Sequence, residues 1–293
     1  MTVYNLGSIN IDHIYGLKHL PQPGETISCD SYREGLGGKG ANQSIAAARA
    51  GSNVIHVGAI SAADNWITAR MSDYGVDTTA VQRLTGTTSG HAIILLDDDT
   101  AENSIVLHGG ANLAIEPQGV SAVLAGIGPG DTLLLQNETN LQVEAAGLAR
   151  AAGARVIYSA APFDIRAVRA VLPHVDILAM NEHEAEDLAA ALDGDTPEVV
   201  AMLVTRGVKG AEYRELWTDQ VTEVPAFRVK ATDSTGAGDC FAGYFAAATD
   251  QGLEIEPALR LAAAAAALKV TRPGAGDAIP TREEVETFMK EYG

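Results

Sequence analysis

A chain of 293 residues, 46% of them hydrophobic, is long enough to bury a substantial core in one large α/β domain or two small ones. Its 38 acidic side chains outnumber the 20 basic ones, for a net charge of −18; this disfavours a nucleic-acid backbone as partner but leaves room for one nucleotide held by a local patch of donors. Cys29 and Cys240 lack metal-ligand and redox-motif spacing, and Met1–Ile9 lacks a basic, cleavable leader, so free thiols and a soluble, cytoplasmic protein are expected.

Strand-like and helix-like segments alternate along most of the chain, the pattern of a mostly parallel sheet covered by helices. The first strand is expected at Val3–Ile9, followed by a Gly- and Pro-rich stretch and a helix from Gly40 to Arg49 that stops at Gly51. Strand Asn53–Ala59 and helix Asn65–Tyr74 follow, then strand Thr132–Leu135, helix Leu141–Ala152, strand Arg155–Ser159 and helix Asp164–Leu172. The next pair is strand Asp176–Met180 and helix Glu182–Ala191, and a further strand is expected at Val199–Val204. Two stretches, about 11–35 and 88–107, read instead as short alternating strands outside the main sheet, a small lid with an acidic turn at Asp97-Asp-Asp. Gly210–Val224 reads as hairpins, Ala226–Thr232 as an apolar strand, and helices close the chain. The longest apolar run, Leu261–Leu268, is too short to span a membrane, and its alanines suit a tightly packed helix.

Five short constellations carry candidate chemistry. In Gly7-Ser-Ile-Asn-Ile-Asp12, Asn10 and Asp12 share a face of an extended segment; the pair suits a vicinal diol, or an Asx turn that caps the strand. Gly37-Gly-Lys-Gly-Ala-Asn42 opens the first long helix and lacks the Ser/Thr of a Walker loop; its glycines are structural, or let a polar ligand approach Lys39 and Asn42. Asn181-Glu-His-Glu184 is a capping-box start, or places Asn181 and Glu184 near hydrated magnesium, and its spacing does not fit zinc. Thr205-Arg-Gly-Val-Lys-Gly210 is a plain hairpin turn or a turn around phosphates. The most informative is Asp233-Ser-Thr-Gly-Ala-Gly-Asp239, where a glycine turn on a helix N-terminus gathers N–H groups and dipole for an anion beside a carboxylate. Taken alone it is also a turn with a capping aspartate.

Their order resembles the ribokinase (phosphofructokinase-B type) family of sugar and nucleoside kinases across essentially the whole chain. The matching landmarks are Gly7–Asp12, Pro23-Gly-Glu-Thr26, Gly37–Gln43, His108-Gly-Gly-Ala-Asn112, Asn181–Glu184, Asp233–Asp239 and Val270-Thr-Arg-Pro-Gly274. The resemblance implies a single three-layer α/β/α domain over residues 1–293, with a mostly parallel central sheet and a β-sheet lid. It implies ATP-dependent phosphorylation of a sugar hydroxyl, the 5-hydroxyl of D-ribose first. Asp239 would be the general base, and the N–H groups of Gly236, Ala237 and Gly238 an anion hole. Asn10, Asp12, Gly38, Lys39, Asn42, Glu138 and Asp233 would hold the sugar. Asn181, Glu184, Thr205, Arg206, Gly207 and Gly210 would serve ATP and Mg²⁺, with Ala263 beside the adenine. The carbonyls of Asp233, Thr235, Lys269, Arg272 and Gly274 would hold K⁺, and pairing of lids would make a homodimer.

Three departures stand out: Ala278 replaces a serine of the cation loop, Ala263 takes a place often polar, and only about twenty residues separate Glu184 from Thr205. Two other readings stay open: a kinase of the same fold for a nucleoside or another sugar or sugar acid, and a non-catalytic sugar sensor. Aromatic side chains make up only 5% of the chain, with Tyr15 and Tyr32 the lid candidates, which leans toward a free sugar over a nucleobase.

Overall fold

The computed structural model describes residues 1–97, 103–193 and 195–292. Its main sheet is built from β1 (Thr2–Leu6), β4 (Asn53–Ser61), β5 (Val76–Asp77), β6 (Val81–Leu84), β9 (Thr132–Gln136), β10 (Arg155–Ser159), β11 (Ile177–Asn181), β12 (Ala201–Thr205), β13 (Ala211–Glu215) and β14 (Val221–Val224). The order is β14-β13-β12-β11-β10-β9-β1-β4-β5, with β6 beside β4. Pairs from β12 through β1 to β5 are parallel, and β13 and β14 add antiparallel ribbons at one edge.

Alternation along the strands decides which layer each side chain enters. In β1, Val3 faces the core formed with α1 (Lys39–Arg49), α2 (Asn65–Asp73), α7 (Ala237–Asp250), α8 (Ile255–Val270) and α9 (Arg282–Tyr292). Tyr4 and Leu6 face the other core, with α3 (Pro117–Leu124), α4 (Gln142–Ala151), α5 (Ile165–Val171) and α6 (Glu182–Ala191). The result is the expected α/β/α sandwich. Among the described residues no helix is long and apolar enough to cross a membrane.

A second sheet, ordered β3-β2-β7-β8, forms the lid from β2 (Asn10–Leu17), β3 (Ser31–Gly37), β7 (Gly90–Asp97) and β8 (Asn103–His108). Asp98 and Asp99 of the acidic turn lie outside the described residues.

Several expectations need correction. β1 ends at Leu6, and Asn10 opens the lid strand rather than closing the first strand. The segment Ala226–Thr232 is not a strand, because Pro225 has no N–H for the ladder beyond β14. Its apolar side chains are satisfied by helices instead: Phe227 and Val229 pack on the core, with the Phe227 ring 5.3 Å from that of Phe288. Helix α3, entered through Pro117, and the short strands β5 and β6 were not foreseen; each lacks the length for a clear periodic pattern. No helix intervenes among the described residues between Ala191 and Ala201.

Candidate active site

The carboxyl ends of the parallel strands meet at one place, the usual position for a ligand in such a sheet. Ser8 follows β1, Glu138 follows β9, and Asn181 and Thr205 end β11 and β12. A cavity of about 820 Å³ opens there, lined by Lys39, Asn181, Glu184, Thr205 and Gly236 through Asp239. Ala263, Ala266 and Ala267 of α8 form an apolar part of its wall, so one side of the alanine run faces the cavity while the rest packs.

Gly236 stands at the N-cap of α7 with φ 71° and ψ 11°, a left-handed conformation that glycine adopts without a Cβ clash. The chain thereby turns straight into the helix; the Ala237 N–H donates back to Ser234 O at 3.1 Å, while those of Gly236 and Gly238 have no partner among the described residues. Asp239, in the first turn, is only 9% exposed. Its carboxylate accepts from Asn42 Nδ2 at 3.1 Å and Gln43 Nε2 at 3.1 Å.

Gln43 begins a buried polar chain that sequence reasoning did not identify. Gln136 Nε2 donates to Gln43 Oε1 at 2.7 Å and to Asn5 Oδ1 at 2.9 Å. Asn5 Nδ2 donates to Gly40 O at 2.8 Å and Ser44 Oγ at 2.9 Å, and Ser44 Oγ lies 2.8 Å from His56 Nδ1. Burial pushes the His56 imidazole down to about 4, against the hydrogen bond to the Gly7 carbonyl that acts the other way. Strand alternation explains the placement: Asn5 and Gln136 share the α1-facing side of the sheet with Val3 and Leu134. The signal was a polar residue toward the carboxyl end of an otherwise apolar strand.

The predicted sugar residues gather beside Asp239. The Asp12 carboxylate has no hydrogen-bond partner among the described residues, and burial, helped by neighbouring Glu138, raises it to about 7. It reaches across Gly37, where a Cβ would fall 2.1 Å from Asp12 Oδ2. Asn10 Oδ1 accepts from Asn112 Nδ2 at 2.8 Å. Asn112 also pins the main chain at Ile9, accepting from its N–H at 2.9 Å and donating to its carbonyl at 3.2 Å. Glu138 accepts from Ser8 Oγ and, at 3.3 Å, from the Lys39 N–H; burial raises its carboxyl above the usual range despite Lys39. Burial works against the charge on Lys39, but Asp239, Glu138 and Glu184 outweigh it and raise its pKa. Asn42 is 5% exposed and its Oδ1 is buried without a partner. Gly38 caps α1 with φ 93°.

Among the residues expected to serve the nucleotide, Asn181 and Glu184 form the capping box of α6: Glu184 N donates to Asn181 Oδ1 at 2.9 Å and Asn181 N to Glu184 Oε2 at 2.8 Å. Burial raises the Glu184 carboxyl. The described residues contain no cluster of His, Cys, Asp and Glu able to cage a metal, so magnesium fits here only through water and phosphate oxygens. Thr205–Gly210 is a hairpin turn, with Arg206 N donating to Gly210 O at 2.7 Å, and Thr205, Gly207 and Gly210 line the cavity. Arg206 does not line it; its guanidinium pairs with Glu223 at 2.7 Å and Glu212 at 3.3 Å, tying the edge strands together.

The carbonyls expected to hold potassium lie in the loops flanking Gly236. Asp233 accepts from Thr235 N at 2.9 Å and Gly274 N at 2.8 Å; these bonds outweigh burial and lower its pKa. Arg272 forks onto Glu284 through Nη2 at 2.8 Å and Nη1 at 3.3 Å. The Lys269 ammonium donates to the Asp233 carbonyl at 3.0 Å, and Ala278 contributes no hydroxyl. An ion on the Asp233 carbonyl would share that oxygen with a fixed positive charge, so these residues do not fit bound potassium.

The profile of the pfkB family carbohydrate kinases matches residues 2–282. The chain is similar to ribokinase of Haemophilus influenzae, 35% identical with 99% of this chain and 98% of that one covered. It is also similar to deoxyribokinase of Salmonella typhi, 32% identical with 99% of each covered. Among solved structures it resembles Arabidopsis thaliana ribokinase complexed with ribose and ATP, with a TM-score of 0.86, 29% identity, and 99% and 98% of the two chains covered.

Proposed function

Since the chain belongs to the pfkB family of carbohydrate kinases, we propose that it transfers the γ-phosphoryl group of ATP to the 5-hydroxyl of D-ribose, giving D-ribose 5-phosphate. One observation carries this reading. The 3.1 Å hydrogen bond from Asn42 to Asp239 joins the sugar cluster to a carboxylate lying directly behind the Gly236–Gly238 turn.

Asp239 takes the proton of the attacking hydroxyl as the phosphoryl group moves onto it. The Gly236 and Gly238 N–H groups, joined by that of Ala237 once it leaves the Ser234 carbonyl, hold the transferring group, and positioning with charge stabilisation supplies most of the acceleration. Lys39 adds a fixed positive charge between the two substrates. Glu184 and Asn181 would hold a hydrated Mg²⁺, which would supply positive charge to the phosphates. Asp12 and Asn10 supply an acceptor and a donor to the ribose diol. A 2-deoxy sugar leaves the buried Asp12 without one partner, which favours ribose by roughly 1–3 kcal/mol or more. Exposed Ile105, Val106 and Leu107 on the lid's edge strand support a homodimer paired through the lids, which light scattering tests.

The deciding measurement is ADP release over a panel of pentoses, 2-deoxyribose, hexoses and nucleosides. Ribose should show the highest kcat/KM. A nucleoside or hexose ahead of every pentose would overturn the substrate assignment while leaving the kinase intact, and sugar binding without turnover would point to a sensor.

A further inference from the structure

Lys269 has no part in the reaction as written, yet it is 0% exposed. It lies one residue from the end of α8, where a lysine ordinarily reaches solvent or its own helix's last carbonyls. Here it turns inward and donates to the main-chain carbonyl of Asp233 at 3.0 Å, and it forms no salt bridge among the described residues. A buried ammonium without a paired carboxylate is costly unless its position is used. Burial lowers its pKa against the pull of Asp233, Cys240 and Asp239, the charged and titratable groups around it, which place it behind the loop leading to Gly236. The carbonyl of Lys269 itself is also engaged, accepting from Arg272 N at 3.0 Å.

We propose that the Lys269 ammonium is a tethered monovalent cation, holding the Asp233–Gly236 loop and its positive field in place so that the enzyme runs without potassium. The proposal rests on reading the Gly236–Gly238 turn as the phosphate site. An ammonium carries the same single charge as potassium and offers directed N–H donors to carbonyls. Because it is tethered, it does not dissociate. Lys269 is therefore a positioning residue that acts through the Asp233 main chain.

The test compares turnover, and the thermal midpoint with and without ADP, in potassium, rubidium, sodium and tetramethylammonium chlorides at matched ionic strength. The wild type should show the same kcat and the same ADP-induced stabilisation in every salt. Lys269→Met keeps most of the volume but no charge; it should lose about 5- to 150-fold in kcat, the range of an ordinary site-to-site coupling. Its KM for sugar should not move. Lys269→Ala frees the Asp233 carbonyl, and potassium or rubidium, but not sodium, should restore its rate; a purely structural lysine would give no such salt-selective rescue. Potassium-selective activation of the wild type, or a Lys269→Met variant with full activity in sodium, would overturn the proposal. The wild-type arm decides even if a variant fails to fold. The underlying reading fails separately, through an Asp239→Asn variant with normal turnover.

Discussion

Asp239→Asn separates chemistry from architecture because the hydrogen-bond network dictates how the new amide must sit. The carboxylate accepts from both Asn42 and Gln43, whereas an asparagine offers one acceptor and one donor group. Gln43 cannot turn over, since its Oε1 is held by Gln136, whose Nε2 is also bound to Asn5. Asn42 can, because its Oδ1 has no partner. The replacement therefore presents oxygen to Gln43 and nitrogen to a flipped Asn42, and no hydrogen bond is lost. The stability cost should stay within about 1 kcal/mol, the net worth of one such bond. For a chain of this size that means a midpoint shift of no more than about 4 °C. The rate should fall about 10²–10⁴-fold, the usual contribution of a general base; at 1.36 kcal/mol per decade this is about 3–5 kcal/mol of barrier. Steady-state kinetics, calorimetric sugar titration and thermal melts read the three quantities. Normal turnover would refute the base assignment, and a melt lowered by ~10 °C would refute the network's amide orientations.

Gly37→Ala drives a methyl group into the space of the Asp12 carboxylate, so the sugar KM should rise about 10- to 150-fold, the worth of a charged hydrogen bond, with the KM for ATP unchanged. An unchanged sugar KM would remove Asp12 from the sugar site. Asp12→Asn should alter stability in one direction with pH. Asp12 is raised to about 7, so the folded protein holds a proton that the unfolded chain releases from about pH 4 upward, and its share of stability falls as pH rises between those values. The variant should match wild type near pH 4 and melt higher above pH 7, by on the order of 4 kcal/mol at most. His56, whose depressed value gives the opposite slope, is common to both proteins and cancels in the difference. An equal melt above pH 7 would contradict the burial argument. Glu184→Gln keeps a side chain able to close the capping box, so the helix start survives, but the magnesium needed for half-maximal rate should rise by about tenfold. An unshifted magnesium titration would count against that role.

Much of this was legible in the sequence because the signals are local. Alternating strands and helices, Gly236 ahead of a helix, and Asn42 one turn into α1 all follow from short-range pattern. The arrangement of Asn5, Gln43, Gln136 and His56 was not legible, since it arises from strands far apart in the chain meeting at one helix. Arg206 misled because its true partners, Glu212 and Glu223, come from strands folded back later in the chain. Ala226–Thr232 misled because apolar alternation does not say whether a sheet or a helix pair will cover it. The inward turn of Lys269 had no local signal, as a lysine at a helix end carries the same letter whether it faces water or a carbonyl.

Only Gly7, Ser8 and Ile9 separate the central strand β1 from the lid strand β2, and Asn112 pins that short span through both groups of Ile9. On the proposed reading, the residues that would grip one end of the sugar are thus bolted to the same sheet that backs Asp239 at the other end. Such a site would behave as a caliper with one fixed opening. Selection by sugar length then follows from main-chain geometry, and substitutions among the gripping side chains should change which hydroxyl pattern is accepted long before they change how long a sugar fits.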